Sequence, residues 1–192
     1  MSNREDLLAG AKHCLLEKGC ARTTARDIAG AAGVSLAAIG YHFGTKEALL
    51  SEALQLALSE WGDSVEQAVA SAPAADPAER FEATWDRVVT SFADNRSLWA
   101  IQFELLGRID NDPELRQTFT AANRDAWAGL VDLFGLSAPP GEEGRLGAFL
   151  QVLIAGAAAQ WLVDPGSAPS GADLRRTVWA FTDAIGHSPA NQ

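Results

Sequence analysis

The sequence has little cysteine: Cys14 and Cys20 are the only two among 192 residues. Two cysteines exclude a disulfide scaffold and a zinc site with four cysteine ligands, and they fit a reducing compartment. Strand signals are nearly absent as well, because no stretch alternates apolar and polar residues convincingly and no Asn-Gly hairpin turn occurs. Hydrophobic residues nevertheless make up 47% of the chain, which excludes general disorder. These features predict an all-helical globular protein.

Positive charge is scarce and unevenly placed. The formal net charge is −10, yet residues 1–50 carry +1 and the remaining residues carry −11. All three lysines lie in the N-terminal segment. Because an acidic surface repels DNA, only this segment suits a nucleic-acid partner. The charge break predicts two domains, residues 1–50 and residues 51–192.

Enzyme signatures are missing too. There is no acid pair at a defined spacing, no metal-ligand cluster, no phosphate-binding loop and no nucleophile motif. We therefore predict no catalytic residue, no metal and no cofactor. The polar first residues predict no signal peptide and a cytoplasmic protein. The uncharged stretch 146–163 is about 27 Å long as a helix, just short of a bilayer core. A membrane span stays open there, although Gln151 and Gln160 favour a buried helix in a soluble core or a dimer interface.

Apolar residues recur at helical spacing along the whole chain. Gly19 predicts the end of the first helix, and Thr24 with Asp27 predicts a capping box at the second. Ser35 and Thr45 are the expected N-caps of the third and fourth helices. The pattern predicts nine helices: residues 4–18, 24–32, a short third helix ending near 43, 46–70, one beginning near Pro77, 96–109, one opening at 112–114 and ending near 135, 142–163, and a last one spanning Leu174 to Ile185.

The stretch 23–46, TTARDIAGAAGVSLAAIGYHFGTK, carries the functional signal. Its two short helices, joined by Ala-Gly-Val-Ser, form a helix-turn-helix pattern in which Gly33 permits the turn. The second helix can enter a DNA major groove. Its side chains are small, which permits close approach of the backbone to the bases.

Residues 4–60 resemble the TetR family of transcriptional regulators. The resemblance rests on Leu-Glu-Lys-Gly at 16–19, Asp-Ile-Ala at 27–29, Ala-Gly-Val-Ser at 32–35, Tyr-His-Phe at 41–43 and Lys-Glu-Ala-Leu-Leu at 46–50. It implies an N-terminal three-helix helix-turn-helix domain over residues 1–50 and a larger helical domain over residues 51–192 for ligand binding and dimerisation. This chain departs from the family at Ala37, often a glycine, and at Gly40, often an aromatic residue.

The resemblance also implies roles for single residues in DNA binding. Thr24 and Lys46 would contact phosphates, and Arg26 would reach the groove or its edge. Ala37 and Ala38 would touch thymine methyls, while Tyr41 and His42 would meet phosphates or base edges. The implied DNA-binding residues are Thr24, Arg26, Ser35, Leu36, Ala37, Ala38, Tyr41, His42 and Lys46. Ordinary surface roles for Arg26, His42 and Lys46 stay open, and so does a core role for Tyr41. Phe43 is expected in the core.

The larger domain holds all six tryptophans. The resemblance implies a ligand pocket in it, and the wall candidates are Trp85, Trp99, Phe103, Trp127 and Phe149, although core packing is an alternative for each. Gln102 and Gln151 are candidate polar groups for a ligand. Glu104 is expected to pair with Arg108 one turn away, a cationic ligand being the alternative. The last two helices are expected to form a homodimer interface through Leu153, Ala157, Trp161, Val178 and Phe181.

These observations predict a DNA-binding transcriptional regulator. Its expected partners are a palindromic double-stranded DNA operator, a second copy of the chain and an unidentified small effector. The favoured mechanism is a repressor that an apolar or aromatic effector releases from DNA. Two alternatives stay open: an activator of the same family, and a dimeric small-molecule binding protein that does not regulate DNA.

Overall fold

The structure is a computed structural model that describes residues 2–71, 76–111 and 113–186. Residues 72–75 of the expected break after the fourth helix lie outside these ranges, as does Asp112 at the expected start of the seventh. Within the described ranges the chain forms nine α-helices and one short 3₁₀ helix, and no strand. The predicted all-helical class is therefore confirmed.

The helix bounds follow the capping signals closely. Thr24 caps α2 through a capping box with Asp27, and the Thr45 hydroxyl accepts a hydrogen bond from Ala48 N at 3.0 Å at the start of α4. Gly19 ends α1 with a φ of 77°, as predicted. The helices are α1 Asn3–Lys18, α2 Ala25–Ala32, α3 Ala37–Phe43, α4 Lys46–Ala70, α5 Pro77–Asp94, α6 Arg96–Leu106, α7 Pro113–Leu133, α8 Glu143–Val163 and α9 Gly171–Gly186.

Two helix boundaries differ from prediction. Ser35 does not cap α3, because Leu36 occupies the N-cap position with helical backbone angles and no side-chain cap is present. The Ser35 backbone carbonyl accepts the first hydrogen bond instead, from Ala38 N at 3.0 Å. Helix α6 ends at Leu106, one turn early, since the chain turns at Gly107 and residues 109–111 form the 3₁₀ helix.

The described chain divides into two compact units. The first contains the residues up to Ser64 together with Ala93–Ala126, and the second contains Val65–Phe92 and the residues from Trp127 onward. Helix α6 therefore belongs to the same unit as α1 to α3. The predicted domain boundary at residue 50 stays a prediction.

In the first unit, α1 packs against α2, α3 and α6. The approach of α1 to α2 is close at Gly10, where an added Cβ would lie 3.0 Å from Ala32 N and 3.1 Å from Ile28 O. Farther along, the Trp61 ring on α4 meets the Trp99 ring on α6 edge-on, with centroids 5.1 Å apart. Glycine and small residues thus bring the N-terminal helices together, and aromatic rings join α4 to α6.

The second unit is packed by large aromatic side chains. The rings of Phe92 and Trp161 lie 6.0 Å apart, and Phe134 is fully buried. Helix α8 crosses Trp127 at Gly147, where an added Cβ would lie 2.3 Å from the Trp127 carbonyl oxygen. By length and composition α8 is also apolar enough to cross a membrane, and 33% of its most apolar window is buried inside the chain.

Candidate nucleic-acid interface

The N-terminus of α2 is fixed by a small polar network. Thr24 Oγ1 accepts a hydrogen bond from Asp27 N at 3.1 Å, and Asp27 Oδ2 accepts one from Thr24 N at 2.9 Å. Lys18 at the end of α1 reaches Asp27 Oδ1 at 2.7 Å. The Thr24 hydroxyl also donates to Asp27 Oδ2 at 2.6 Å. Thr24 is exposed at the N-terminus of α2, and backbone N–H groups at a helix N-terminus suit a phosphate oxygen.

The network also shifts the titration of its members. Hydrogen bonds from Lys18 and Thr24 hold the pKa of the Asp27 carboxyl well below its usual value of 3.8. The hydrogen bond to Asp27 raises the pKa of the Lys18 ammonium. Both groups are therefore charged at neutral pH, and the cap on α2 stays closed.

The turn between α2 and α3 requires its glycine. Gly33 has a φ of 66°, a left-handed backbone conformation that favours glycine, and its N–H ends α2. Ser35 and Leu36, just before α3, are exposed, and so are Ala37, Gly40 and Tyr41 on the helix itself. A Cβ added at Gly40 would meet nothing within 4 Å. This helix is thin enough for its backbone to approach base edges closely.

The end of α3 carries an aromatic group that points away from the core. The Tyr41 side chain is 86% exposed, and its ring stacks edge-on against His42 with centroids 4.8 Å apart. Phe43, by contrast, is buried, and the Arg4 guanidinium lies 4.8 Å from its ring centroid. The structure thus confirms Phe43 as a core residue and argues against a core role for Tyr41.

The two basic candidates differ in their surroundings. Arg26 is exposed on α2. Lys46 is half-buried, and its Nζ donates to the Thr23 carbonyl at 3.2 Å, with Glu47 3.5 Å away. Lys46 therefore links the start of α4 to the loop before α2, in addition to any contact that it makes with phosphate.

A contact that sequence reasoning missed ties the same loop to α6. Glu104 Oε1 accepts a hydrogen bond from Ala21 N at 3.0 Å, and Arg108 donates to Cys20 Sγ at 3.1 Å. The expected pairing of Glu104 with Arg108 is therefore wrong, because both side chains reach across to the 20–21 backbone and thiol. Burial raises the pKa of the Cys20 thiol, although the nearby Arg108 guanidinium acts against that rise. No local sequence signal indicates a contact across more than 80 residues.

The five pocket candidates lie in both compact units. Trp99 is buried in the first unit, where Phe103 is half-buried. In the second unit, Trp85 is buried and its Nε1 donates to the Pro169 carbonyl at 2.8 Å. Trp127 Nε1 donates to Gln151 Oε1 at 2.7 Å, and Phe149 is exposed. The hydrogen bonds of Trp85 and Trp127 give both indoles a role in packing.

The dimer candidates are not all on the surface. Ala157 and Trp161 are buried by their own chain, so they are not accessible to a second copy. Leu153 and Val178 are half-buried, and Phe181 is exposed. Sequence reasoning missed an exposed stripe on α8 at helical spacing, which we call the α8 stripe: Phe149, Val152, Gly156, Gln160 and Val163.

Together, the helix-turn-helix and its exposed recognition helix define a DNA-binding transcriptional regulator. Residues 7–53 match the family model "Bacterial regulatory proteins, tetR family", and residues 75–184 match "Tetracyclin repressor-like, C-terminal domain". The chain belongs to the TetR family of transcriptional regulators.

Individual relatives agree with this assignment. The chain is 33% identical over 153 residues to the HTH-type transcriptional regulator CymR of Pseudomonas putida, an alignment that covers 74% of this chain and 72% of that protein. A transcriptional regulator structure from Rhodococcus sp. RHA1 matches with a TM-score of 0.67 and 22% identity, covering 86% and 89% of the two chains. A TetR regulator structure from Haloarcula marismortui matches with a TM-score of 0.63 and 22% identity, covering 95% and 97%.

Proposed function

We propose that this regulator is a cytoplasmic homodimeric repressor that binds a palindromic DNA operator and leaves it when a small apolar or aromatic effector binds. The observation that carries the DNA side is the exposed face of α3, which ends in the outward-pointing Tyr41. The match of residues 7–53 and 75–184 to the two TetR-family models supports the dimer and the effector.

On DNA, α3 lies in the major groove, and the N-terminus of α2 meets the backbone. Thr24 and the α2 N–H groups bind one phosphate, and Lys46 binds another. Arg26 and Tyr41 reach the groove, while Ala37 and Ala38 contact thymine methyls. Because few of these side chains form bidentate base contacts, DNA shape contributes to specificity.

The dimer forms through α8 and α9. The exposed apolar side chains on these helices are Phe149, Val152 and Val163 of the α8 stripe, and Phe181 and Ile185 of α9. Gly156 lies in the middle of the stripe with open space around its Cα, which permits close helix approach. In a two-fold dimer the same surface serves both partners. The predicted residues Leu153 and Val178 lie at the edge of this surface.

The effector signal reaches the DNA-binding helices through two helices. Helix α4 runs from Lys46, which bonds the loop before α2, to Trp61. Helix α6 runs from Trp99, which packs on Trp61, to the end of the helix, where Glu104 bonds Ala21. An effector that shifts α4 or α6 therefore moves the loop that precedes Thr24. By reciprocity, DNA weakens effector binding by the same factor.

A DNA titration tests the proposal. Purified protein is titrated against labelled DNA from the region upstream of its own gene and against a scrambled control, at two salt concentrations. We expect saturable binding with preference for the upstream DNA, a steep salt dependence and a symmetric footprint. DNA selected by the protein from a random pool serves as the second target.

Variants make the test specific to the interface. Arg26→Ala is expected to lower operator affinity about tenfold and to weaken the preference for upstream over scrambled DNA, because Arg26 reaches the groove. Arg124→Ala is the matched control, since Arg124 is exposed on α7 and has no assigned role. Equal, weak binding to the upstream, scrambled and selected DNAs would favour a dimeric binding protein without DNA regulation. Tight binding that raises transcription of the target would favour an activator.

A further inference from the structure

Gln102 is a polar side chain in the middle of an apolar helix face. It is only 9% exposed, and the other buried residues of α6 are Leu98, Trp99, Ile101 and Leu105. Its carbonyl oxygen, Oε1, is buried and has no hydrogen-bond partner among the described residues. A buried acceptor without a donor destabilises the fold, and native proteins retain few of them. A donor supplied by a bound molecule would account for this one.

The surroundings of Gln102 suit a flat aromatic molecule. Trp99 lies three residues before it, on the same face of α6. The Trp99 ring meets Trp61 of α4 edge-on, with an interplanar angle of 86°. Aromatic rings bind other aromatic rings well in stacked or edge-on arrangements. The two indoles and the Gln102 carbonyl thus provide an apolar aromatic wall and one hydrogen-bond acceptor.

We propose that Gln102 binds the effector directly, and that the effector is a flat aromatic molecule with an N–H or O–H donor. The ring would pack on the Trp61–Trp99 pair, and the donor would bond Gln102 Oε1. The inference rests on the proposed function, because it supplies the chemistry of the effector invoked there. It also places the effector on α6, the helix whose far end bonds Ala21.

Three probes of nearly the same shape separate the alternatives by calorimetry. Indole has an N–H donor, benzofuran replaces that donor with an acceptor oxygen, and benzofuran-2-carboxylate adds an anion. We expect the wild type to bind indole at least fivefold more tightly than benzofuran. Gln102→Met, which keeps the length and removes the acceptor, is expected to bring that ratio to within twofold. Gln102→Leu is a second variant with the same expectation.

Ser51→Ala is the matched control. Ser51 Oγ is also buried without a partner, but it lies ten residues before Trp61, about 15 Å along α4. This variant is expected to keep the preference for indole. Thermal melting gives a readout without any probe: Gln102→Met should keep or raise Tm, since it removes an unpaired acceptor. A Tm lowered by several degrees would show that the amide has a partner within the protein.

The proposal is overturned if no probe binds at millimolar concentration, if the carboxylate binds best, or if Gln102→Met keeps the preference for indole. A different result would contradict the proposed function. In that result, indole binds with the expected preference over benzofuran, but saturating indole leaves the affinity of the protein for upstream DNA unchanged.

Discussion

The three N-terminal helices and the last two helices are held by different kinds of interaction. Helices α1 to α3 depend on caps, glycine turns and close contacts of small residues, as at Thr24, Gly33 and Gly10. Helices α8 and α9 depend on apolar area, and part of that area remains exposed at Val152 and Phe181. The DNA-binding region is thus specified largely by residues adjacent in sequence. The C-terminal region depends on partners distant in sequence and, by our proposal, on a second chain.

The largest expected effect tests the dimer side of this comparison. Val152→Glu puts a carboxylate in the centre of the α8 stripe, and two-fold symmetry buries it twice. Burying unpaired charge costs about 2–5 kcal/mol, so we expect dimer affinity to fall at least a hundredfold. Analytical ultracentrifugation should detect monomer, and operator affinity should fall with it.

The control for this variant places the same charge elsewhere in the second unit. Ala83 is exposed on α5, and Ala83→Glu should leave both the mass and the operator affinity unchanged. A Val152→Glu protein that remains a dimer at micromolar concentration would remove α8 from the interface. Circular dichroism checks that both variants keep their helices.

The second prediction concerns packing within the C-terminal region. An alanine Cβ at Gly147 would lie 2.3 Å from the Trp127 carbonyl oxygen, and backbone atoms there have little room to move. Gly147→Ala is expected to destabilise the protein by about 1–3 kcal/mol, as overpacking does, and to lower Tm by several degrees.

Gly144→Ala, on the same helix, is the control for this variant. Its Cβ would lie 3.7 Å from the Trp127 ring, an ordinary contact. This variant should keep or slightly raise Tm, because alanine favours a helix. Equal melting of the two variants would mean that α8 does not press on Trp127.

The helix-turn-helix was predictable because its signals are local. The Gly19 stop and the Thr24–Asp27 capping box follow from local spacing, and both are present in the structure. The burial of Phe43, also confirmed, follows from the resemblance to the TetR family. The expected Ser35 cap is absent, because α3 starts from a turn whose backbone is already helical at Leu36. Spacing indicates that a helix forms, but the backbone angles of the turn decide its first residue.

The packing of the C-terminal helices and the contact of Glu104 were not predictable from the sequence, because both depend on residues distant in the chain. Periodicity marks the apolar side of a helix, but it does not tell which chain covers that side. Periodicity therefore predicts a dimer role for Ala157 and Trp161, whereas in the structure their own chain buries them. Likewise, Glu104 has a charged neighbour one turn away, and yet it bonds a backbone N–H 83 residues distant. Tertiary proximity of this kind is not encoded in local spacing.

The third prediction separates the two roles of Lys46. Lys46→Met removes the hydrogen bond to Thr23 O, worth about 1 kcal/mol, and a positive charge at the proposed DNA surface. We expect operator affinity to fall several-fold and the salt slope to decrease by about 1.8, since the proposed dimer loses one cation from each subunit. Lys12→Met is the control, because Lys12 pairs with Glu60 and has no assigned DNA contact. A lower Tm with an unchanged salt slope would leave Lys46 a purely structural role.

The smallest effect tests the cap on α2. The pKa of Asp27 is held below its usual 3.8 by Lys18 and Thr24, so the folded state favours the charged carboxylate. The stability that this carboxylate contributes is complete above pH 3.8 and is lost as the pH falls through the lower folded-state pKa. Asp27→Asn keeps the shape and removes the titration. Its Tm should lie below that of the wild type by a constant amount at pH 5 to 7, and the difference should shrink toward pH 2. A difference independent of pH would mean that the ion pair with Lys18 contributes nothing, and that Asp27 acts only as a neutral acceptor for Thr24.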